Sequence, residues 1–288
     1  MNIPSAKDHG TTVSLPIDVV SIQSQVVYGH VGNSVAVPTL QGFGLRVAAV
    51  PSVILSNTPH YPSMHGGALP PDWLAGYLDD LIARGALARA RSVQIGYLGN
   101  PEQIELITRW LERALVVQPA LRVQVDPVIG DFDHGIYVDP RMTPAWRRLL
   151  PHAHGLTPNH FELEQLSECT LSSLDECIGA ARSLLTGATE WVVVTSAAPR
   201  IWSASEMHVL AVSRDQHKVF THPRFACAVK GGGDLFSAHL TGWTLAGKTL
   251  FEAVDRASHD VVGILDRTRR LGWEELALAF PAVPHADR

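Results

Sequence analysis

Short apolar runs alternate along most of the chain with stretches in which apolar residues recur every three or four positions. The runs Ile17 to Ile22, Val47 to Val53, Ser92 to Ile95, Arg122 to Val128 and Trp191 to Thr195 predict β-strands. The most regular helical stretch is Pro101 to Val117. A proline sits in its first turn, Ile104, Ile107, Leu111 and Leu115 share one face, and Glu105 and Arg109 stand opposite at i,i+4 spacing. Strands and helices in alternation predict an α/β chain with a central, mainly parallel sheet flanked by helices on both faces. The stretch Met207 to Phe220 breaks the rhythm: apolar runs at 208–212 and 218–220 flank a polar 213–217, which predicts an antiparallel hairpin at one sheet edge. After Asp234 the pattern is helical nearly to the end, with breaks at Gly247 and Gly272.

No repeat, low-complexity tract or long linker interrupts this pattern. The 288 residues therefore read as one domain from about residue 17, preceded by a loose tail over residues 1–16. With 46% hydrophobic and 18% charged residues the composition is that of a globular protein, and a net charge of −5 leaves no basic footprint for nucleic acid. No apolar run has the length of a membrane span, and the first twenty residues lack a signal-peptide core. Cys169, Cys177 and Cys227 have spacings that suit neither a disulfide framework nor a zinc site. A reducing, cytoplasmic compartment follows as the expectation.

Ligands of open parallel sheets bind beyond the carboxyl ends of the strands, and the polar residues collect there. Ser24 follows the first predicted strand, Ser56 to His60 the second, Gly96 to Asn100 the third, Asp126 to Asp131 the fourth, and Thr195 and Ser196 a later one. The densest signal is Lys230-Gly231-Gly232-Gly233-Asp234 at the mouth of an apolar helix. Glycines let backbone N–H groups converge on an anion, and the helix adds the positive end of its dipole. A carboxylate there repels a bound phosphate, so Asp234 needs a role. Either it takes the proton of an attacking hydroxyl, as in a small-molecule kinase, or it simply caps the helix.

A second glycine motif is misleading. Gly242 to Thr249 fits the P-loop pattern G-x-x-x-x-G-K-[ST], but Leu235, His239, Leu240, Trp243 and Ala246 carry a helical stripe through its first half. A P-loop leaves a strand and opens a helix. Here Gly247 reads as a helix C-cap and Thr249 as the start of the next helix.

Segments spread over about residues 17–280 resemble, in order, the pyridoxal kinases of the ribokinase superfamily, and more closely their pyridoxine/pyridoxal/pyridoxamine kinase branch. They are Ser21 to Asn33, Leu55 to Tyr61, Val125 to Asp131, Gly135 to Val138, Thr157 to Glu164 and Gly231 to Asp234. The resemblance implies a ribokinase-like fold and phosphorylation, by ATP with Mg²⁺, of the 5′-hydroxymethyl group of pyridoxal, pyridoxine and pyridoxamine. It makes Asp234 the catalytic base and Gly231, Gly232 and Gly233 the anion hole, with Gly232 standing where the family usually has threonine. It assigns Asn159-x-x-Glu162 to the ordering of magnesium and its waters, and Tyr137 to the metal's vicinity. Asp126, Thr157 and Thr195 fall near the nucleotide phosphates, and the loop His222-Pro223-Arg224-Phe225 near the nucleoside; Lys230, by its place directly before the glycines, is expected to offset ATP phosphate charge.

For the vitamer ring the resemblance points to Ser24 and His60, whose hydroxyl and imidazole suit a pyridine nitrogen and a 3-hydroxyl. Val20 and Tyr97 are either ring walls or core residues, and His30 is either near the pocket or one of the surface histidines among the chain's 14. Lys230 is either a solvated lysine or an amine that condenses with a vitamer aldehyde. Family analogy adds a homodimer and a response to a monovalent cation such as K⁺. The rival readings are a hydroxymethylpyrimidine kinase using the same machinery, and a non-catalytic vitamer-binding protein.

Overall fold

The computed structural model describes residues 14–225 and 229–278. Cys227 and most of the expected N-terminal tail lie outside the described residues. In chain order the elements are β1 (Val19–Tyr28), α1 (Asn33–Gly42), β2 (Val47–Asn57), β3 (Gly66–Ala68), α2 (Pro71–Ala83), β4 (Ser92–Ile95), α3 (Pro101–Val117) and β5 (Arg122–Val125). A small hairpin of β6 (Gly130–Asp131) and β7 (Gly135–Ile136) follows, then α4 (Met142–Leu149), β8 (Gly155–Leu156), α5 (His160–Ser167) and α6 (Leu174–Ser183). The chain continues through β9 (Trp191–Val194), β10 (Glu206–Ser213), β11 (His217–Pro223), α7 (Gly232–Leu245) and α8 (Leu250–Leu271).

Nine strands form one sheet in the order β11-β10-β9-β8-β5-β4-β1-β2-β3. The six from β9 to β2 are parallel; β10 and β11 close one edge and β3 the other, each antiparallel to its neighbour. The mainly parallel sheet and the edge hairpin are as the sequence pattern predicts, and β3, with its two glycines, was missed for want of any apolar signal. β8 escaped for a similar reason, having only two paired residues. Period-two alternation explains the two-faced core: Val192, Val194, Leu210 and Val212 pack on one side of the sheet with Ile104, Ile107 and Leu111 of α3. Val193, Val209 and Ala211 pack on the other with Leu235 and Leu240 of α7 and Val254 and Ala257 of α8.

Several local expectations change. β1 runs beyond Ile22 to Tyr28, with its pairing to β2 shifting register between Gln23 and Gln25, so Ser24 lies inside the strand at that irregularity. Val20 is fully buried in the main core and cannot wall a ligand. Glu105 pairs with Arg148 of α4 at 2.8 Å, a tertiary contact in place of the expected partner Arg109 on its own helix. Cys169 and Cys177 are free thiols, the first exposed and the second buried.

The P-loop lookalike is helical as far as Leu245, breaks at Gly247 with φ 85°, and starts α8 at Thr249, whose backbone N–H and Oγ1 trade hydrogen bonds with Glu252. The motif's lysine therefore stands between two helices and not under a phosphate loop. Thr249→Ala should remove the capping box and lower stability by about 1 kcal/mol, whereas Lys248→Ala should stay within about 0.5 kcal/mol of the parent. Urea unfolding midpoints of the two variants check both values; equal losses would contradict the assignment.

Candidate active site

The polar residues at the carboxyl ends of the parallel strands meet around one turn, Gly29 to Gly32, between β1 and α1. Gly32 adopts φ 52°, ψ −133°, and a Cβ there would stand 2.1 Å from the carbonyl oxygen of Ser24, so only glycine fits. Its N–H donates to Oδ2 of Asp234 at 2.9 Å. Gly231, with φ 90°, passes under the same turn: a Cβ would meet the carbonyl oxygen of His30 at 2.0 Å. Two segments about 200 residues apart in sequence are thus locked together, and Ser24 and Asp234 both meet Gly32.

Asp234 is the third residue of α7, whose N-cap is Gly231 with no side-chain hydrogen bond. The capping alternative is thereby overturned, because the carboxylate reaches across to Gly32 and leaves the first-turn N–H groups of its own helix uncapped. Gly232 has nothing near a would-be Cβ, and Gly233 meets only Asp126 at an ordinary 3.6 Å. Gly232 therefore faces open space, as an anion site requires. Loss of solvent pushes the Asp234 carboxyl up to about 6, against the N–H of Gly32, which favours the charged form.

Next to Asp234 lies a group of buried acids. Asp126, directly after β5, is pushed well above the usual carboxylate range by burial and then by Glu162 and Asp234; its one side-chain bond is a long 3.5 Å contact from Ser237. Ser237 also contacts Thr157, with the two hydroxyl oxygens 2.9 Å apart. Burial raises Glu162 to about 7, although both its oxygens accept backbone N–H groups, from Ile129 at 3.0 Å and from Asn159 at 2.8 Å. Asn159 returns the bond to the N–H of Glu162 and donates its amide to Gly130. Asn-x-x-Glu is therefore a capping box that also welds the β5–β6 loop to α5. Glu162 is only 3% exposed. The half-exposed Tyr137 stands over the group, its phenol raised by burial and by the carboxylates of Glu162, Asp126, Asp131 and Asp234. Burial pushes Asp131 up, but bonds from His134 and the charge of Lys230 outweigh it and hold the carboxyl low.

Thr195 follows β9 and bridges to Asn159, and the chain then turns through Ser196 and Ala198 in the left-handed region. His222 and Pro223 end β11, with the His222 imidazole lowered by burial. Arg224 ties back to Ser205, and Phe225 lies under the guanidinium of Arg269 of α8. Tyr97 is partly buried after β4, its phenol raised by that burial. His30 is not a surface histidine: its backbone N–H donates to Glu275 at 3.0 Å and its ring is held low by burial, against the pull of that carboxylate. His60 lies 3.9 Å from the same Glu275.

The comparisons agree with this geometry. Residues 37–277 match the family model described as phosphomethylpyrimidine kinase. A pyridoxine/pyridoxal/pyridoxamine kinase of Bordetella bronchiseptica is 58% identical over 93% of this chain and 95% of its own length. The chain belongs to the pyridoxal kinase family. A pyridoxal kinase PdxY of Rubrobacter xylanophilus is 34% identical over 91% of both chains. Pyridoxal kinase from Leishmania donovani, solved in complex with ADP and pyridoxamine, superposes with a TM-score of 0.82 at 28% identity, covering 91% of this chain and 90% of that one.

Three residues of the site were not singled out by the sequence reading. Gly32 lay inside a family segment without a role, Ser237 is one turn beyond Asp234 on α7, and Glu275 comes from the last described segment. A polar residue on the Asp234 face of an apolar helix is a signal for Ser237; nothing local marks Glu275.

Glu162→Gln should remove one of the two acceptors and set an amide NH₂ against a backbone N–H. We expect a stability loss of about 1–3 kcal/mol, read from urea unfolding, rather than the purely functional defect that a surface carboxylate would give. An unchanged midpoint would show that the capping box contributes nothing.

Proposed function

We propose that the chain transfers the γ-phosphoryl group of ATP to the 5′-hydroxymethyl group of pyridoxal, pyridoxine and pyridoxamine, with Asp234 as the base that accepts the hydroxyl proton. The observation that carries this reading is the position of Asp234: a carboxylate raised toward neutrality, held by the Gly32 N–H, at the uncapped N-terminus of α7. The Gly231 to Gly233 N–H groups receive the phosphoryl group in flight, and Ser24 and His60 hold the ring. Asp126, Thr157, Asn159, Thr195 and Lys230 line the phosphate side, with His222, Pro223, Arg224 and Phe225 at the nucleoside. Phosphoryl transfer passes through a loose transition state, so positioning and charge compensation provide most of the rate.

The residues fit magnesium. Asp126 is a buried, nearly unbonded carboxylate beside two others, an oxygen donor set suited to a hard cation. Among the described residues no three acidic, histidine or cysteine side chains lie close enough to hold a metal by themselves. Asp126, with Glu162 and Tyr137 beside it, would hold the ion in company with phosphate oxygens and water, and the ion would neutralise charge on the transferred phosphoryl. Because Glu162 spends both oxygens on backbone N–H groups, its part is to fix the loop that presents Asp126.

The acceptor is the point at which the family divides, since the matching family model is described by a pyrimidine. The 58% identical Bordetella relative, and His60 within Asn57-Thr58-Pro59-His60-Tyr61, favour the vitamers. We further propose one ribokinase-like domain over residues 17–288 with a tail at 1–16, a homodimer responsive to a monovalent cation such as K⁺, and a cytoplasmic location. Among the described residues no helix is long and apolar enough to cross a membrane.

A coupled assay of ATP turnover with the three vitamers and with hydroxymethylpyrimidine tests the reading; turnover on the pyrimidine alone would overturn it. Asp234→Asn keeps an acceptor for Gly32 but cannot take the proton, so kcat should fall by about 10²–10⁴ while vitamer and ATP still bind. More than about half of the parent kcat would remove Asp234 as the base.

The base works ionised, so kcat/KM should decline as pH falls through about 6, the value to which burial raises Asp234. The residual activity of Asp234→Asn should lack that limb. A limb that persists unchanged in the variant would assign it to another of the neighbouring acids.

A further inference from the structure

Glu275 sits after α8 and is 7% exposed. Its Oε2 accepts the N–H of His30 at 3.0 Å and its Oε1 accepts the hydroxyl of Thr58 at 3.1 Å. Gly29 backs directly onto it, for a Cβ there would stand 2.7 Å from Oε1. Glu275 therefore grips the turn Gly29 to Gly32 from one end while Asp234 grips it from the other through Gly32. The same carboxylate also controls the loop after β2. Thr58 has one proton, and the 3.1 Å contact with a carboxylate oxygen consumes it. At its second contact, 2.9 Å from Nδ1 of His60, the threonine oxygen can only accept. Nδ1 of His60 must then carry a proton. Nε2 makes no hydrogen bond within the protein, since the 3.9 Å to Glu275 is beyond hydrogen-bond reach. In the neutral ring Nε2 is the bare acceptor left for a ligand. The ring is held from the side as well, packed on Tyr61 at 4.1 Å between centroids, with Tyr61 in turn edge-on to Tyr28.

We propose that Glu275 is a positioning residue of the vitamer site, which through Thr58 fixes His60 as the Nδ1–H tautomer and so presents Nε2 as a hydrogen-bond acceptor to a hydroxyl of the bound ring. The proposal rests on the vitamer kinase reading for the identity of the ligand but not for the tautomer. The chain of proton directions, Glu275 from Thr58 and Thr58 from His60, is a relay that one substitution can reverse. In Glu275→Gln the single amide oxygen serves the His30 N–H, and the NH₂ then faces Thr58. Thr58 then accepts from it, and its hydroxyl proton, released from the carboxylate, is given to Nδ1 of His60, which puts the ring proton on Nε2.

Long-range ¹H–¹⁵N correlation spectra of ¹⁵N-histidine-labelled full-length protein, assigned with His60→Asn, read the tautomer directly in mildly alkaline buffer, where imidazole is neutral. The parent should show the Nδ1–H pattern for His60, Glu275→Gln the Nε2–H pattern, and Thr58→Val a mixture. In the coupled assay Glu275→Gln should raise the vitamer KM by about tenfold, the value of about one good hydrogen bond, with KM for ATP unchanged. A parent His60 in the Nε2–H form, or a Glu275→Gln variant that keeps the parent tautomer while folded, overturns the proposal. A folded protein with the expected tautomers that phosphorylates no vitamer would overturn the kinase reading alone. If Glu275→Gln fails to fold, Thr58→Val carries the test: an unaltered Nδ1–H signal in that variant would show that no relay sets the ring.

Discussion

Two backbone N–H groups, those of His30 and Gly32, each donated to a carboxylate from the last third of the chain, hold the site together. A turn between a strand and a helix has donors that the sheet does not use, and leaving them unpaired away from water costs about 1–3 kcal/mol each. Asp234 and Glu275 satisfy them and gain position in return. The first ends at the mouth of α7 with its carboxyl free to face an acceptor, and the second reaches the loop that carries His60. Glycine at 29, 32 and 231 follows from the closeness of the backbones and not from local turn preferences.

The electrostatics of the site run against burial. Asp126, Glu162 and Asp234 come together where solvent is scarce, and each is raised toward neutrality. Hydrogen bonds offset this unequally: Glu162 receives two N–H groups, Asp234 one, and Asp126 only a long contact from a serine. That gradient divides the labour. The best-bonded carboxylate builds the loop; in the proposed reaction the intermediate one would take the proton and the least-bonded one would have acceptor capacity left for a cation. The charge of Lys230, directly before the glycines in sequence, adds to the lowering of Asp131.

Much of this was legible before any coordinates. Helix α3 begins and ends where the apolar period and the leading proline put it, and β4 matches its apolar run. The placement of His60, Asp126 and Thr195 beyond strand ends follows from the rule for open parallel sheets, and a helical stripe crosses the false P-loop. Residues whose role depends on a partner distant in sequence were read less well. Glu162, which the family motif directs toward magnesium, is also a buried cap that no local pattern announces. His30 was open between pocket and surface, and Val20 between ring wall and core, until the Glu275 contact and the burial of Val20 decided them. Ser24 was placed at a strand end because the apolar run stops at Ile22, whereas β1 continues past an irregularity in its pairing.

The amino-acid sequence by itself determined the alternation of strands and helices, the edge hairpin, the glycine-rich mouth of α7 and, through six ordered segments, the family. Those features are written in spacing, in backbone freedom and in residue type, which act over a few positions. The tertiary structure alone decided which oxygen of which carboxylate each N–H reaches. It buried Glu162, aimed Asp234 at Gly32 and delivered Glu275 from the far end of the chain to Thr58 and His60. A hydrogen bond depends on tenths of an ångström between groups that here lie 202, 217 and 245 residues apart, and no local pattern encodes a distance of that kind.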